Sequence, residues 1–153
     1  MVSPAQKPAS RQIDRRMVVE FVQLRYPGQR WMFNVRLGPV PLAIAKMYPG
    51  VDVDRIARLW KKTCDAIVIT DRELVLIESE IIRPIEAIGE LLVYRDLIPQ
   101  TDDLRAWWTW PVRLVLVSPQ KDPTLDATTR AHNIEVVYYR PAWVEAYVKE
   151  VLR

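Results

Sequence analysis

Two carboxylate residues thirteen positions apart, Asp65 and Glu78, have the types and spacing that could do chemistry in this sequence. They stand at the outer ends of two apolar runs, AIVIT and ELVLIE, which are separated by a polar Asp-Arg pair. If that pair is a two-residue hairpin loop, counting outward places Asp65 directly opposite Glu78. Two carboxylates that meet at one end of a sheet offer oxygen ligands of the kind that hard divalent cations prefer.

A third carboxylate follows on the same strand. Because side chains alternate between the faces of a strand, Glu80 is expected on the same face as Glu78, one step beyond it. Three carboxylates at close range repel one another and repel phosphate unless a cation neutralises them. Because Arg is a poor base, we expect only a lysine to supply a catalytic cation. The nearby basic residues are Lys61, Lys62, Arg83 and Arg95.

The surrounding elements alternate between helix and strand. Helical periodicity runs from Ile13 to about Tyr26 and includes Glu20, and Asp52 is placed to cap a short helix that ends near Trp60. Further helices are predicted for PIEAIGELLVYRDLI, for Asp122 to about His132 and for PAWVEAYVKEVL, and further strands for WMFNVRL, VRLVLVS and IEVVYY. The last two of these strands are joined through a helix and should be parallel. We therefore expect a single α/β domain with a mixed central sheet flanked by helices.

Residues 13 to 140 resemble the PD-(D/E)XK nuclease superfamily in this order of elements. The specific match is an Asp, ten to fifteen residues, then Glu-x-Lys, followed by a helix of the type AIGQLLVYRDL, which here reads AIGELLVYRDL. The resemblance implies a restriction-endonuclease-like αβββαβ core with an extra helix and a C-terminal helix. It also implies that Asp65, Glu78 and the helix-one carboxylate Glu20 are ligands of Mg²⁺ or Mn²⁺. The sequence departs from the family at Glu80, which stands where the family has its lysine.

The exchange of lysine for Glu80 decides between two functions. In the family the lysine lies beside the attacking water and compensates charge that builds on the phosphate, and a glutamate reverses that sign. The favoured hypothesis is a nuclease-fold protein that has lost cleavage and serves as a binding or assembly module. The alternative is an active Mg²⁺-dependent DNA nuclease in which Lys61 or Lys62 has taken over. The chain also resembles small phage-encoded proteins, which implies the host cytoplasm or a virion.

Composition limits which classes of protein this chain could belong to. At 153 residues and 50% hydrophobic, the chain is long and apolar enough for one domain with its own core. A lone cysteine, Cys64, excludes an intramolecular disulfide and fits a reducing compartment, and a single histidine, His132, argues against zinc. No apolar run is long enough to cross a bilayer, so no membrane association is expected. The net charge of +3 permits contact with DNA without requiring it.

Two segments suggest partners. Residues 1–12 are rich in Pro, Ala, Ser and Gln and are expected to form an extended arm before the domain at 13–153. Basic residues in and after the arm could hold phosphates or remain solvated. Three tryptophans in AWWTWP could pack in the core, anchor a protein interface or stack on bases. The arm and this segment predict protein partners and leave oligomerisation open. The residues concerned are Arg11, Arg15, Arg16, Trp107, Trp108 and Trp110.

Overall fold

The computed structural model describes residues 7–39, 42–60 and 62–153, and its centre is a five-stranded mixed sheet with strand order β1-β2-β3-β4-β5. The β1-β2 and β2-β3 pairs are antiparallel, and the β3-β4 and β4-β5 pairs are parallel. The strands are β1 Arg30–Leu37, β2 Lys62–Ile69, β3 Leu74–Ser79, β4 Val112–Ser118 and β5 Ile134–Tyr138.

Helices cover both faces of this sheet, which confirms the predicted α/β class. They are α1 Lys7–Arg25, α2 Leu42–Met47, α3 Val53–Trp60, α4 Pro84–Leu97, α5 Asp126–Ala131 and α6 Ala142–Val151, with short 3-10 turns at Ile98–Gln100, Asp102–Trp107 and Pro123–Leu125. Helix α1 begins at Lys7, earlier than the predicted Ile13, so residues 7–12 are helical and not extended. Residues 1–6 of the predicted arm lie outside the described residues.

The central hairpin has the predicted register. Ala66 pairs with Ile77 and Ile69 pairs with Leu74, so the same count places Asp65 opposite Glu78. The loop is closed by the Thr70 backbone N–H, which donates to the Glu73 carbonyl oxygen at 3.1 Å. Both strands are largely buried because helices cover both faces of the sheet, as their continuous apolar sequences predict.

The core has two halves, one on each face of the sheet. On one face, the α4 side chains Ile88 and Leu91 pack against Ile67 and Leu76 of the hairpin. On the other face, residues of α1 and α6 pack against the alternate residues of the same strands. The carboxylate end of the hairpin therefore lies between α1 on one face and α4 on the other.

The alternation of faces slips at one level in β1 and β2. Phe33 and its partner Ala66 pack on the α1 side, but Val35 and its partner Cys64 pack on the α4 side, although two residues apart on one strand normally share a face. Between them, Asn34 has a left-handed backbone with φ of 51°, a conformation that Asn tolerates better than most residues. The slip falls at the level of Asp65.

Candidate functional site

Asp65 and Glu78 meet where β2 and β3 diverge. The Asp65 backbone N–H donates to Glu78 Oε1 at 2.8 Å, and the Ser79 N–H donates to Asp65 Oδ2 at 3.0 Å. Each carboxylate thus takes the place of a carbonyl acceptor on the opposite strand. These crossed hydrogen bonds fix both side chains at the end of the hairpin, as the predicted pairing requires.

Further carboxylates surround this pair and form what we call the carboxylate cluster, made of Asp14, Asp65, Glu78, Glu80 and Glu90. Glu78 is only 4% exposed, and burial raises its pKa first, with the negative charge of Asp65 raising it further. Burial also raises the pKa of Asp65, helped by the charges of Glu90 and Glu80. Asp65 and Glu78 therefore hold protons more tightly than free carboxylates do.

Asp14 brings α1 into the cluster, and the sequence did not single it out. Burial raises the pKa of Asp14 to about 7, and the charges of Glu80 and Asp65 contribute. Its Oδ1 atom is buried without a hydrogen-bond partner. A signal was present in the sequence, because Asp14 precedes Met17, Val18 and Phe21 by three, four and seven positions and so falls on the buried stripe of the helix.

Glu90 brings α4 into the cluster and was also missed. Burial raises the pKa of Glu90, the charges of Glu80 and Glu86 raise it further, and the Lys62 ammonium lowers it. The available signal was one letter in the helix motif, since AIGELLVYRDL has glutamate where the resembling type has glutamine. That difference adds one more negative charge to a site already rich in carboxylates.

Glu20, predicted to be the helix-one carboxylate, serves another purpose. It accepts hydrogen bonds from Trp143 Nε1 at 2.8 Å, from the Tyr139 hydroxyl at 3.3 Å and from Arg16 Nε at 3.0 Å. Six residues along a helix correspond to a rotation of about 120°, so Asp14 and Glu20 point in different directions. The structure thus places Asp14, not Glu20, beside Asp65.

Glu80 is engaged with the backbone. Its Oε1 accepts the N–H groups of Ile82 at 3.1 Å and of Arg83 at 3.0 Å, and its own N–H donates to the Val117 carbonyl at 3.0 Å. These contacts shape the turn between β3 and α4, which begins at Pro84. The side chain in the position of the family lysine therefore stabilises a turn.

Positive charge near the cluster is sparse. Lys62 is exposed, and its positive charge partly offsets the rise in the pKa of Glu90. Lys61 lies outside the described residues. Arg83 pairs with Glu86 at 3.2 Å, and Arg95 contacts its neighbour Asp96 at 3.5 Å. Among the residues that the structure describes, no Lys or Arg forms an ion pair within 4.0 Å of a carboxylate in the cluster.

The cluster has the right donor type for a divalent cation but lacks the arrangement. Carboxylate oxygens suit Mg²⁺ and Mn²⁺. Within residues 7–39, 42–60 and 62–153, however, no three Asp, Glu, His or Cys side chains converge in a way that could hold a metal ion. One oxygen each of Asp65 and Glu78 is already occupied by a backbone N–H. The residues as placed do not form a metal centre.

The predicted tryptophan segment packs against the core. The three tryptophans, Trp107, Trp108 and Trp110, are partly buried against the apolar core half on the α4 side of the sheet. Trp108 Nε1 donates to the Thr101 carbonyl at 2.9 Å. The guanidinium groups of Arg30 and Arg105 lie 5.3 Å from the rings of Trp107 and Trp108 respectively. Of the three predicted roles, core packing is the one that these contacts support, and the protein interface and base stacking stay predictions.

The predicted basic residues near the arm divide into different surroundings. Arg15 is exposed, and the Arg16 guanidinium lies 4.1 Å from the Trp143 ring while pairing with Glu20. The side chain of Arg11 lies outside the described part of the chain. Arg16 is thus committed to the contact between α1 and α6.

In the described residues, no helix is long and apolar enough to span a membrane.

No family model matches this chain, and no curated protein matches it either. A solved structure described as the crystal structure of a repair endonuclease from Pyrococcus abyssi is similar, with 13% sequence identity and a TM-score of 0.47. The similarity covers 82% of this chain and 46% of that one, so the chain spans less than half the length of the protein that it resembles.

Proposed function

We propose that this chain is a nuclease-fold protein that has lost phosphodiester cleavage and serves as a binding or assembly module. The observation that supports this proposal most directly is Glu80, whose carboxylate accepts two backbone N–H groups in the turn before α4. A lysine there would orient water and offset charge on the phosphate. Glu80 does neither, because it is an acceptor with the opposite charge.

The charge of the whole cluster supports the same proposal. Asp14, Asp65, Glu78 and Glu90 all have raised pKa values, which means that their ionised forms are disfavoured where they are. A phosphodiester brings further negative charge and would be repelled by any of these groups that ionise. No Lys or Arg among the described residues forms an ion pair with the cluster to offset that repulsion.

Cleavage of supercoiled plasmid and of single-stranded DNA by the purified chain, with Mg²⁺ or Mn²⁺, tests the proposal. We expect no metal-dependent nicking by the wild type above the level of Asp65→Ala. Glu80→Lys should be included, because it restores the family residue in an otherwise unchanged chain. Cleavage by the wild type that disappears in both Asp65→Ala and Glu78→Ala would overturn the proposal.

The second candidate function is an active Mg²⁺-dependent DNA nuclease in which a lysine has moved. The observation that favours it is the charge of Lys62, which partly offsets the rise in the pKa of Glu90. In this case the wild type would cleave DNA, and Lys62→Ala would abolish cleavage while Lys46→Ala, which changes an exposed lysine on α2, would not. The same cleavage assay with these two variants separates the candidates.

A further inference from the structure

Helices α2 and α3 expose an unusual amount of apolar surface. Of the fifteen large hydrophobic side chains exposed in the described part of the chain, seven lie in this one segment of nineteen residues. The Tyr48 and Trp60 rings lie 6.4 Å apart, which joins the end of α2 to the end of α3. We call this the α2–α3 surface, and its members are Leu42, Met47, Tyr48, Val51, Val53, Leu59 and Trp60.

These side chains do little for the core of the domain. Helix α2 has no buried residue, and α3 buries only Ile56 and Ala57. Neither of these two residues belongs to the two core halves on the faces of the sheet. Exposed apolar side chains concentrated in one place mark interaction sites on soluble proteins, whereas scattered ones need no explanation. The exposed side chains of this segment are therefore available to contact a partner.

Positive charge accompanies this segment and the two lysines that follow it. Residues 42–60 contain three basic and two acidic residues, and Lys61 and Lys62 bring residues 42–62 to a net charge of +3, which equals that of the entire chain. The remainder contains seventeen basic and seventeen acidic residues. Among the residues that the structure describes, no carboxylate lies within ion-pair distance of Lys46, Arg55, Arg58 or Lys62. Arg55 and Arg58 therefore bring unpaired positive charge to the helix that carries Val53, Leu59 and Trp60.

We propose that the α2–α3 surface binds an acidic amphipathic segment of a partner protein. Apolar side chains of the partner would contact Leu59, Trp60 and Met47, and its Asp or Glu residues would face Arg55 and Arg58. This inference rests on the proposed binding role and names the class of partner for it. Complementary charge at the border of an apolar patch speeds association and selects the partner.

The composition of the surface favours this occupant over two others. Five of its seven apolar side chains are aliphatic and offer no ring for base stacking, which is the main apolar contact made with single-stranded nucleic acid. A second copy of the chain would bring the same positive charge to the interface, and like charges in contact oppose binding. An acidic segment with apolar anchors satisfies both parts of the surface.

Selection from a random sixteen-residue peptide library displayed against the immobilised full chain tests the inference. We expect enriched peptides to combine Asp and Glu with Leu, Ile, Phe or Trp. The best of them would then be synthesised, labelled, and titrated with the chain by fluorescence anisotropy. Leu59→Ser and the double variant Arg55→Glu/Arg58→Glu should each weaken binding by about tenfold, as loss of central interface residues does.

Matched controls separate this surface from general stickiness. Leu24 on α1 is exposed to nearly the same extent as Leu59, 70% against 68%, so Leu24→Ser should leave binding unchanged. Arg130→Glu, on exposed α5, controls for the charge reversal. Since every substituted side chain is exposed, thermal melting of each variant should match the wild type.

Several outcomes would overturn the inference. These are failure to enrich any peptide, enrichment of peptides without excess acidic residues, and equal binding of the peptides to the surface variants. Binding of duplex DNA or anionic phosphatidylserine vesicles through these residues in place of acidic peptides would do the same, as would self-association that Leu59→Ser abolishes. The cleavage assay is independent of all these measurements, so a failure here is distinguishable from a failure of the proposed function.

Discussion

Glu90 shows how one residue can set the electrostatics of a site. Its charge raises the pKa of the partly buried Asp65 and of the buried Glu78, and the charge of Asp65 raises the pKa of Glu78 further. Lys62 offsets this only from the solvent side. Glu90 is itself exposed, so its charge acts on Asp65 and Glu78 from the edge of the cluster.

Replacing Glu90 with glutamine should therefore stabilise the fold at alkaline pH. Glu90→Gln removes a negative charge and keeps the size of the side chain, so we expect the free energy of unfolding to rise by about 1 kcal/mol at pH 8. The gain should be smaller at pH 5, because the raised pKa values of Asp65, Glu78 and Glu90 favour their neutral forms as pH falls. Urea denaturation at both pH values measures the difference.

The control for this substitution is Glu150→Gln on α6, whose side chain is exposed and outside the carboxylate cluster. It should change stability little at either pH. A Glu90→Gln variant that is no more stable than wild type at pH 8 would show that the repulsion in the cluster is already compensated.

At the scale of elements, Glu20 joins the first helix to the last. Trp143 of α6, Tyr139 just after β5 and Arg16 of α1 all donate to its carboxylate. The two helices also share the core half that contains Met17 and Val144. The hydrogen bonds to Glu20 lie beside this apolar contact and fix the orientation of α6 against α1.

Loss of the Glu20 carboxylate should loosen the contact between α1 and α6. We expect Glu20→Ala to lower the free energy of unfolding by about 2 kcal/mol, because it leaves the Trp143 N–H without its charged acceptor. Chemical denaturation followed by tryptophan fluorescence would measure the change. Gln23→Ala, an exposed position on the same helix, is the matched control, and an equal effect of both substitutions would contradict the structural role of Glu20.

The elements of the sheet were predictable from the sequence, whereas the contents of the site were only partly so. Period-two and continuous apolar runs identify the strands, and a two-residue loop fixes the pairing of Asp65 with Glu78. Asp14 and Glu20 both lie on α1, and only the buried stripe of that helix separates the one that reaches the site from the one that does not. The role of Glu80 depends on the backbone of the following turn, which no pattern of side chains reveals.

At the scale of the whole molecule, the raised pKa values give stability a definite dependence on pH. The pKa of Asp14 rises from an ordinary 3.8 to about 7 on folding. Between these values the folded chain keeps a proton that the unfolded chain has lost, so the free energy of unfolding falls as pH rises. The stabilisation that the proton on Asp14 gives the folded chain is complete below about pH 4 and is lost as pH rises to about 7.

We therefore expect the chain to be less stable at pH 8 than at pH 5, by about 2 kcal/mol, in chelator-treated buffer. Asp14→Asn should reduce this dependence without abolishing it, because burial also raises the pKa values of Asp65 and Glu78. Asp103→Asn, at an exposed position, should preserve it. Urea denaturation across the range provides the measurement. Stability that rises with pH in the wild type would be the opposite sign and would contradict the raised pKa of Asp14.

The slip at Asn34 has a consequence for anyone who redesigns this sheet. The hydrogen-bonded register between β1 and β2 is the same on both sides of Asn34, yet the side chains exchange between the α1 face and the α4 face there. A library that assigns positions to faces by simple alternation along β2 would therefore choose the side chain at Cys64 for the α1 face, although it is fully buried on the α4 face. The assignment of faces must be inverted between Ala66 and Cys64, so β2 has to be designed as two short segments that meet at Asp65.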